Sequence, residues 1–494
     1  MRILIDLQPA QGESRFHGIG RYSLKIAEEI VKIKGDEVYI LLNDAFPREA
    51  VKIKDSLGLP EENYVVFSPI KPTAFINSPE KWRVEVSELI RELAIDKVEP
   101  DVVFVPSVFE GFVDNIPISI KKFRNANTAV VLYDLIPLIY AHAYLRDSNM
   151  RQWYYYRLNQ FRAADAFVAI SESSRREGIE HLNLKEEDFC VAYPAPTELF
   201  RVLDEPDERV LEKYGISKNY LLYVPSGYDF RKNVEALILA FGRLPKEIKS
   251  KLQLVIASKI DEYNERRLKE LARKVKANVV LTGYVKDEDL VTLYNLCELF
   301  MHPSLHEGFG LPIVEAMACG APVVGSNSSS IAEIIQRGDA LFDPKDVNSI
   351  SSKILEVLKN DELREELRRY GLKRAKDFSW RESAKNILKL FNKKFGNGRP
   401  VAHLFRKPRM AYLSPLPPAQ SGISYYSSEL LPELSKYYEV ELIVNQSDVS
   451  DEYIRANFPI RTVEYFTKNF RKYKRVLYHM GLSLIHISEP TRPY

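Results

Sequence analysis

HEGFGLPIVE, His306–Glu315, places two carboxylates, Glu307 and Glu315, on either side of a glycine-rich bend. The apolar run before it, LFMHPS, predicts a short buried strand ending just ahead of the bend. Pro312 suits the first position of a helix, where its missing N–H costs nothing, so a helix is predicted to open inside the interval. Glu307 would then sit on the loop and Glu315 in the first helical turn. Gly308 and Gly310 let the backbone approach a ligand closely. Strand, glycine loop and helix start together make a site for a phosphate or a polarised sugar. Ionised carboxylates beside it can accept hydrogen bonds from sugar and ribose hydroxyls, because they are acceptor-only.

Outward from this stretch, short apolar runs alternate with amphipathic ones, the pattern of α/β architecture with parallel sheets. One set of predicted strands is Ile3–Leu7, Val38–Leu42, Val102–Pro106, Ala129–Tyr133 and Ala166–Ile170. A charged linker, LDEPDERVLEKYG, follows from Leu203. The second set is Tyr220–Pro225, Leu252–Ala257, Val279–Thr282, Leu299–His302 and Pro322–Gly325. The fold class expected is α/β: two successive Rossmann-like, doubly wound domains, 1–200 and 201–378, facing a cleft at the carboxyl ends of their strands. A helix over 379–395 closes this unit, and 396–408 reads as a linker.

The N-terminal pattern then returns. HGIGRYSLKIAEEI aligns with SGISYYSSELLPEL, and EVYILLN with EVELIVN, pairing Gly18 with Gly422, Tyr22 with Tyr426, Ser23 with Ser427 and Asn43 with Asn445. A second, truncated copy of the first domain is therefore expected over 409–481, as an incomplete third Rossmann-like segment. The last residues, LSLIHISEPTRPY over 482–494, resemble the translation of a sequencing adapter and are expected to be a non-native tail.

Composition narrows the classes. With 494 residues, 45% apolar and 28% charged, the chain has the make-up of soluble globular domains. A net charge of +2 gives no reason to expect nucleic acid as a partner. No apolar run reaches the roughly 18 residues of a membrane span. The strand-like start, interrupted by Asp6, does not resemble a signal peptide. Cys190, Cys297 and Cys319 are far apart, with no metal spacing, and favour a reducing cytoplasm. The eight histidines form no ligand set. The short basic cluster Lys121, Lys122 and Arg124 offers a peripheral membrane contact as its weaker reading and solvated surface as its stronger one.

Two further motifs join the first. PSGYDFRKN, from Pro225, follows the predicted strand YLLYVP, and puts Gly227, Arg231 and Lys232 at a strand's carboxyl end. A departing diphosphate gathers negative charge, and fixed cations there stabilise it; Arg offers a planar fork and Lys a point charge. HGIGRYS, from His17, contains G-x-G-x-x-S. About ten residues separate it from the first strand, where a dinucleotide fingerprint needs its first glycine at once, so a nicotinamide cofactor is not expected. Asp287-Glu288-Asp289 has the D-x-D pattern of metal sites, but it opens a predicted helix, where capping and dipole compensation explain it. Trp153-Tyr154-Tyr155-Tyr156 reads as helix packing before it reads as a sugar platform.

Taken together these blocks, over roughly residues 1–395, resemble the retaining glycosyltransferases of family four, which have the GT-B fold. The family's E-x7-E motif matches Glu307 to Glu315, and GFGLP, EAMACGAPVV and LFDP match as well. The resemblance implies a metal-independent hexosyltransferase with a nucleotide-sugar donor and no cofactor. It implies that Glu315 binds the ribose hydroxyls and that Glu307, Arg231 and Lys232 surround the reacting face and diphosphate. Gly308, Phe309, Gly310, Leu311 and Gly227 would line the donor. Gly18, Gly20 and Arg21 would form the cleft loop near diphosphate and acceptor. Tyr133-Asp134 stands where many members have His-Asp. Tyrosine is no base near neutral pH, which puts the matching sugar contact in question, and Asp134 is either an acceptor-side group or a turn former. Ser171 reads as a helix N-cap close to the cleft. The YDLIP and RKN blocks look most like those of bacterial mannosyltransferases of surface-polysaccharide assembly, which implies mannose from GDP-mannose, with UDP-glucose or another nucleotide-sugar left open, and a glycan or lipid-linked glycan acceptor. A nucleotide-sugar 2-epimerase of the same fold, or a non-catalytic sugar-nucleotide-binding module, are the alternatives.

Overall fold

The computed structural model describes residues 1–123, 126–217, 219–396, 408–419, 421–435 and 437–479. The chain divides into two compact units, 1–400 and 401–494. Arg124, most of the predicted linker and the 482–494 tail lie outside the described residues.

The first unit holds two parallel sheets. Seven strands build the N-terminal sheet: β1 (Ile3–Asp6), β2 (Val38–Asn43), β3 (Tyr64–Phe67), β4 (Val102–Val105), β5 (Thr128–Leu132), β6 (Ala166–Ala169) and β7 (Phe189–Val191), in the order β3-β2-β1-β4-β5-β6-β7. The order reverses between β1 and β4, and loops leaving these two strands flank a ligand crevice. Six strands build the second sheet: β8 (Tyr220–Tyr223), β9 (Gln253–Ile256), β10 (Val279–Leu281), β11 (Leu299–His302), β12 (Val323–Ser326) and β13 (Leu341–Phe342), in the order β10-β9-β8-β11-β12-β13. Its switch point lies between β8 and β11, which carry the RKN and E-x7-E motifs respectively. Ile3, Leu4, Ile5, Val102, Phe104 and Val130 are fully buried, as strands covered by helices on both faces require. At the end of β1, Asp6 is buried against Arg91, Oδ2 to Nη2 2.6 Å, an ion pair that would be costly with either partner alone.

Three strands have no clear signature in the sequence. β7 and β13 are three and two residues long. β3 is an edge strand whose Val66 faces solvent. Such short segments form because a longer neighbour templates them, a tertiary effect that local pattern does not carry.

Helix Trp380–Phe395 is capped by Ser379, whose side chain accepts from the Glu382 amide. It follows the second domain in sequence yet packs on the first. Phe391 meets Phe104 edge-on at 5.6 Å, Trp380 meets Tyr22 at 5.6 Å, and the Ser383 hydroxyl donates to the Tyr193 carbonyl at 2.6 Å. Its buried stripe, Ala384, Ile387, Leu388 and Phe391, recurs at helical spacing.

The second unit contains β14 (Arg409–Leu413), β15 (Glu439–Val444), β16 (Ile460–Thr462) and β17 (Arg475–Tyr478), all parallel, in the order β16-β15-β14-β17. This is the order β3-β2-β1-β4 over again. Helix Gly422–Ser435 joins β14 to β15 as helix Gly18–Lys34 joins β1 to β2. Even the register repeats: Ile3 pairs Val38 and Met410 pairs Val440. Among the described residues no helix is long and apolar enough to cross a membrane.

Candidate functional site

β11 ends at His302, and the chain bends through residues 303–310 into helix Leu311–Ala318. Gly310 is the cap, at φ +106°, a conformation closed to most side chains. The helix starts one residue earlier than the proline suggests: Leu311 is first and Pro312 second. Glu315 accordingly lies in the second turn, not the first.

Glu307 is the hub. Its Oε1 is 2.7 Å from Lys232 Nζ and its Oε2 3.1 Å from Arg231 Nη1. Arg231 Nη1 also donates to the His306 carbonyl at 3.0 Å, and its Nε to Asp229 Oδ2 at 3.1 Å. Asp229 accepts the Arg231 amide at 2.9 Å, which fixes the short turn that presents both cations. Burial would raise the Glu307 carboxyl, but Lys232, His302 and Arg231 together outweigh it and hold it well below the usual range. Asp229 and Glu307 thus hold the two cations in place side by side. The Ser329 hydroxyl accepts the Glu307 amide at 3.0 Å, and Ser330 donates to the Glu307 and Phe309 carbonyls. Among the described residues the amides of Gly308, Phe309, Gly310 and Leu311 have no protein acceptor. Gly227 is exposed at φ +78° on the loop after β8, with open space around it.

Gly308 has a different reason for being glycine. A Cβ there would stand 2.5 Å from the Tyr133 carbonyl oxygen and 3.2 Å from Asp134 Cβ. The end of β5 therefore rests directly on the E-x7-E loop, and Tyr133 and Asp134 face it. Asp134 Oδ1 accepts the Ile136 amide at 3.0 Å, the turn-forming role, while enclosure in the cleft raises its carboxyl and Arg231 partly offsets this. Burial raises the Tyr133 phenol far above neutrality, so it holds its proton.

Gly20 lies against the backbone of Arg15, and Gly18 opens helix Gly18–Lys34 with nothing near it. Arg21 reaches across to the second domain. Its Nη1 lies 3.6 Å from Glu315 Oε1 and its Nη2 3.1 Å from Asp287 Oδ2. The D-x-D pair is thus divided: Asp287 meets Arg21 across the cleft, and Asp289 meets Lys213 and the Tyr214 hydroxyl. Glu315 is buried; burial pushes its carboxyl up to about 7, with Arg21 lowering and Asp287 raising it. The Tyr294 hydroxyl lies 3.3 Å from Glu315 Oε2.

Several site residues carry no motif. The Tyr144 hydroxyl donates to Asp229 and accepts from Arg231 Nε. His306 Nε2 is 2.8 Å from Glu177, which in turn accepts the Leu135 amide. Ser171 reaches the Gly308 carbonyl at 2.6 Å. Glu110, on the loop after β4, accepts from Ser14 on the loop after β1; burial pushes its carboxyl up to about 7. Conversely, Lys121 and Lys122 are ion-paired with Asp165 and Glu88, which leaves little free charge for a membrane. Trp153 and Tyr154 pack on Phe109 and Phe112 and are not a sugar platform. Burial pushes the Cys297 and Cys319 thiols up to about 12, as for structural cysteines.

Comparison with known proteins agrees with this geometry. Residues 207–374 match the family model for glycosyl transferases group 1, and residues 16–195 that for glycosyltransferase family 4. Over 395 residues the chain is 37% identical to the serotype-specific mannosyltransferase WbdA of Escherichia coli, covering 78% of this chain and 47% of that protein. It is 36% identical over 222 residues to the O-antigen chain mannosyltransferase B of Escherichia coli, covering 44% of this chain and 58% of the relative. The chain thus spans about half the length of the curated relatives it matches. Among solved structures, Anabaena HepE in complex with UDP and glucose superposes with a TM-score of 0.56 at 17% identity, covering 80% of this chain and all of that one. WaaG, a glycosyltransferase involved in lipopolysaccharide biosynthesis, does so at 0.54, also at 17% identity, covering 80% of this chain and all of that one. With two Rossmann-like sheets facing one cleft and the group 1 and family 4 models matched in order, the chain belongs to the glycosyltransferases of GT-B fold.

Proposed function

We propose that residues 1–395 transfer mannose from GDP-mannose to a hydroxyl of a glycan or lipid-linked glycan, with retention at the anomeric carbon. The observation that carries this is the cluster of Arg231, Lys232 and Glu307 beside the amides of residues 308–311, which have no acceptor among the described residues, with Glu315 one helical turn beyond. The diphosphate would displace Glu307 from the two cations. The amides of residues 308–311 would face the sugar and diphosphate, and Glu315 would take the ribose hydroxyls. In the transfer, the bond from the anomeric carbon to the phosphate oxygen breaks and a bond to the acceptor oxygen forms. The acceptor's proton passes to the departing phosphate oxygen. Fixed cations lower the cost of that charge, so neither a metal nor a cofactor is required. The mannosyltransferase names of the relatives support the sugar. Working in the cytoplasm, with peripheral contact where the acceptor is lipid-linked, suits such an acceptor. The segment from Arg409 is proposed to open a second module of the same kind; the repeated strand order and register support it. Tandem modules would hand one product to the next site at high effective concentration.

Release of GDP from GDP-mannose with a mannoside acceptor is the test. Arg231→Ala and Glu315→Ala are each expected to slow it at least tenfold, a loss of about 1.4 kcal/mol or more, and EDTA to leave it unchanged. Strong metal dependence, or transfer from UDP-glucose in preference, would refute the proposal.

A further inference from the structure

Among the contacts that join the two domains is a buried hydroxyl. Ser171, at the end of β6, is fully buried and caps helix Glu172–Leu182 by accepting the Ser174 amide at 2.9 Å. Its own proton goes elsewhere: Oγ lies 2.6 Å from the Gly308 carbonyl oxygen of the opposite domain. Ser174 spends its proton chiefly on the Tyr133 carbonyl at 2.6 Å and stands farther, at 3.2 Å, from the Gly308 carbonyl, which leaves Ser171 as the nearer donor to that oxygen. The helix start is held against the second domain by a further group. Glu333 accepts the amides of Glu172 at 2.8 Å and Ser173 at 2.9 Å, and the Tyr193 hydroxyl at 2.8 Å. A bare helix N-terminus, with its positive dipole end, is thereby closed by a carboxylate from across the cleft.

The consequence lies in a single peptide unit. The Gly308 carbonyl and the Phe309 N–H belong to the same planar trans peptide and point in opposite directions. Holding the oxygen fixes where the N–H points, and among the described residues that N–H has no protein acceptor. The contact of Gly308 with the Tyr133 carbonyl leaves the glycine no room to roll away. We propose that Ser171 is a positioning residue for glycosyl transfer: by bonding the Gly308 carbonyl from the acceptor-side domain, it aims the Phe309 N–H at the donor. Glu333 holds the helix that carries Ser171 in place. This rests on the donor site proposed above. It adds that the acceptor-side domain completes that site, so that the site is fully ordered only when the domains are together.

Three substitutions separate aiming from capping. Ser171→Asp keeps an N-cap acceptor but loses the proton and sets a carboxylate against a carbonyl. Ser171→Ala loses both functions, and Ser171→Thr keeps both. GDP release from GDP-mannose with methyl α-mannoside, GDP affinity, and hydrogen exchange of peptides covering residues 305–312 are measured for each on the full chain. The Asp and Ala variants are expected to lower kcat about tenfold, as misdirecting one catalytic donor does, while GDP affinity stays within about twofold, since Arg231, Lys232 and Glu315 are untouched. Exchange at 308–310 should quicken in both variants, and Thr should restore all three readouts. Wild-type kcat and exchange in Ser171→Asp would overturn the proposal and reduce Ser171 to a cap. A wild-type protein that neither binds GDP nor turns over GDP-mannose would instead refute the donor site, and the exchange data would still decide the role of Ser171. Should Ser171→Ala fail to fold, Ser171→Asp and Glu333→Gln carry the same comparison.

Discussion

Arg21 Nη1 stands 3.6 Å from Glu315 Oε1, so a cation from the first domain faces the second-domain carboxylate that we propose takes the ribose. Arg21 is one of the groups that lower the Glu315 carboxyl against the burial that pushes it up to about 7. Only the ionised form accepts from both ribose hydroxyls. GDP affinity is therefore expected to fall about tenfold between pH 8 and pH 6, as a group with a midpoint near neutrality gains its proton. In Arg21→Ala the midpoint of that titration should move to higher pH. Isothermal titration across this range checks both, and a flat profile would remove Glu315 from the binding site.

The same carboxyl has a cost for the fold. Its value in the folded protein, about 7, lies above the ordinary 4.5, so over that interval the folded state holds a proton the unfolded chain has released. Stability from this group is thus highest below pH 4.5 and declines as pH rises towards 7. Glu315→Gln removes the term. It should stabilise the ligand-free protein by about 3 kcal/mol at pH 8 and by almost nothing at pH 4.5, while abolishing transfer. Urea unfolding at the two pH values is the measurement.

Lys232 and Glu307 behave as a pair. Lys232→Met leaves a buried carboxylate with Arg231 as its remaining cation, and should cost about 3–5 kcal/mol in denaturant unfolding. Adding Glu307→Leu to that variant should return most of the stability and none of the activity. If the double variant were as unstable as the single one, packing and not charge would be the reason Lys232 is buried.

Gly308→Ala places a methyl group 2.5 Å from the Tyr133 carbonyl. Backbone cannot yield there as a flexible side chain would, so the domains are expected to part slightly. Transfer should drop at least tenfold, since a displacement of about 1 Å at a reacting centre can cost a hundredfold. Each domain's own core should be intact by circular dichroism.

Much of this site is visible in the sequence because its main parts are local. Arg231 and Lys232 adjoin one strand end and Glu307 another, and the E-x7-E spacing carries a loop into a helix. Two parallel sheets likewise follow from apolar runs alternating with amphipathic ones. What the sequence does not display are pairings between surfaces that only folding brings together. Arg21 with Glu315, Ser171 with Gly308, and Glu333 with the start of helix Glu172–Leu182 each join residues of different domains, and no motif, however clear, says which residue of the other domain it meets. Asp287 shows the limit well: its place at a helix start explains it fully until Arg21 arrives from the other domain.

Helix Trp380–Phe395 should be a large contributor to the first domain. Phe391 is fully buried against Phe104, and Phe391→Ala should cost about 3–5 kcal/mol. Hydrogen exchange should rise in β1 and β4 and hardly at all in β9 and β10.

That helix also means the first domain is not one continuous stretch of gene. Residues 1–200 alone would leave Tyr22 and Phe104 without the wall that Trp380 and Phe391 supply. Recombination that swaps acceptor halves between relatives must therefore cut at two joints, one before β8 and one near Ser379, and carry the distant helix along. A single crossover between the domains would deliver a first half fitted to another protein's closing helix. Change in the first domain is then easier by point substitution in the loops after β1, β4 and β5 than by shuffling whole halves.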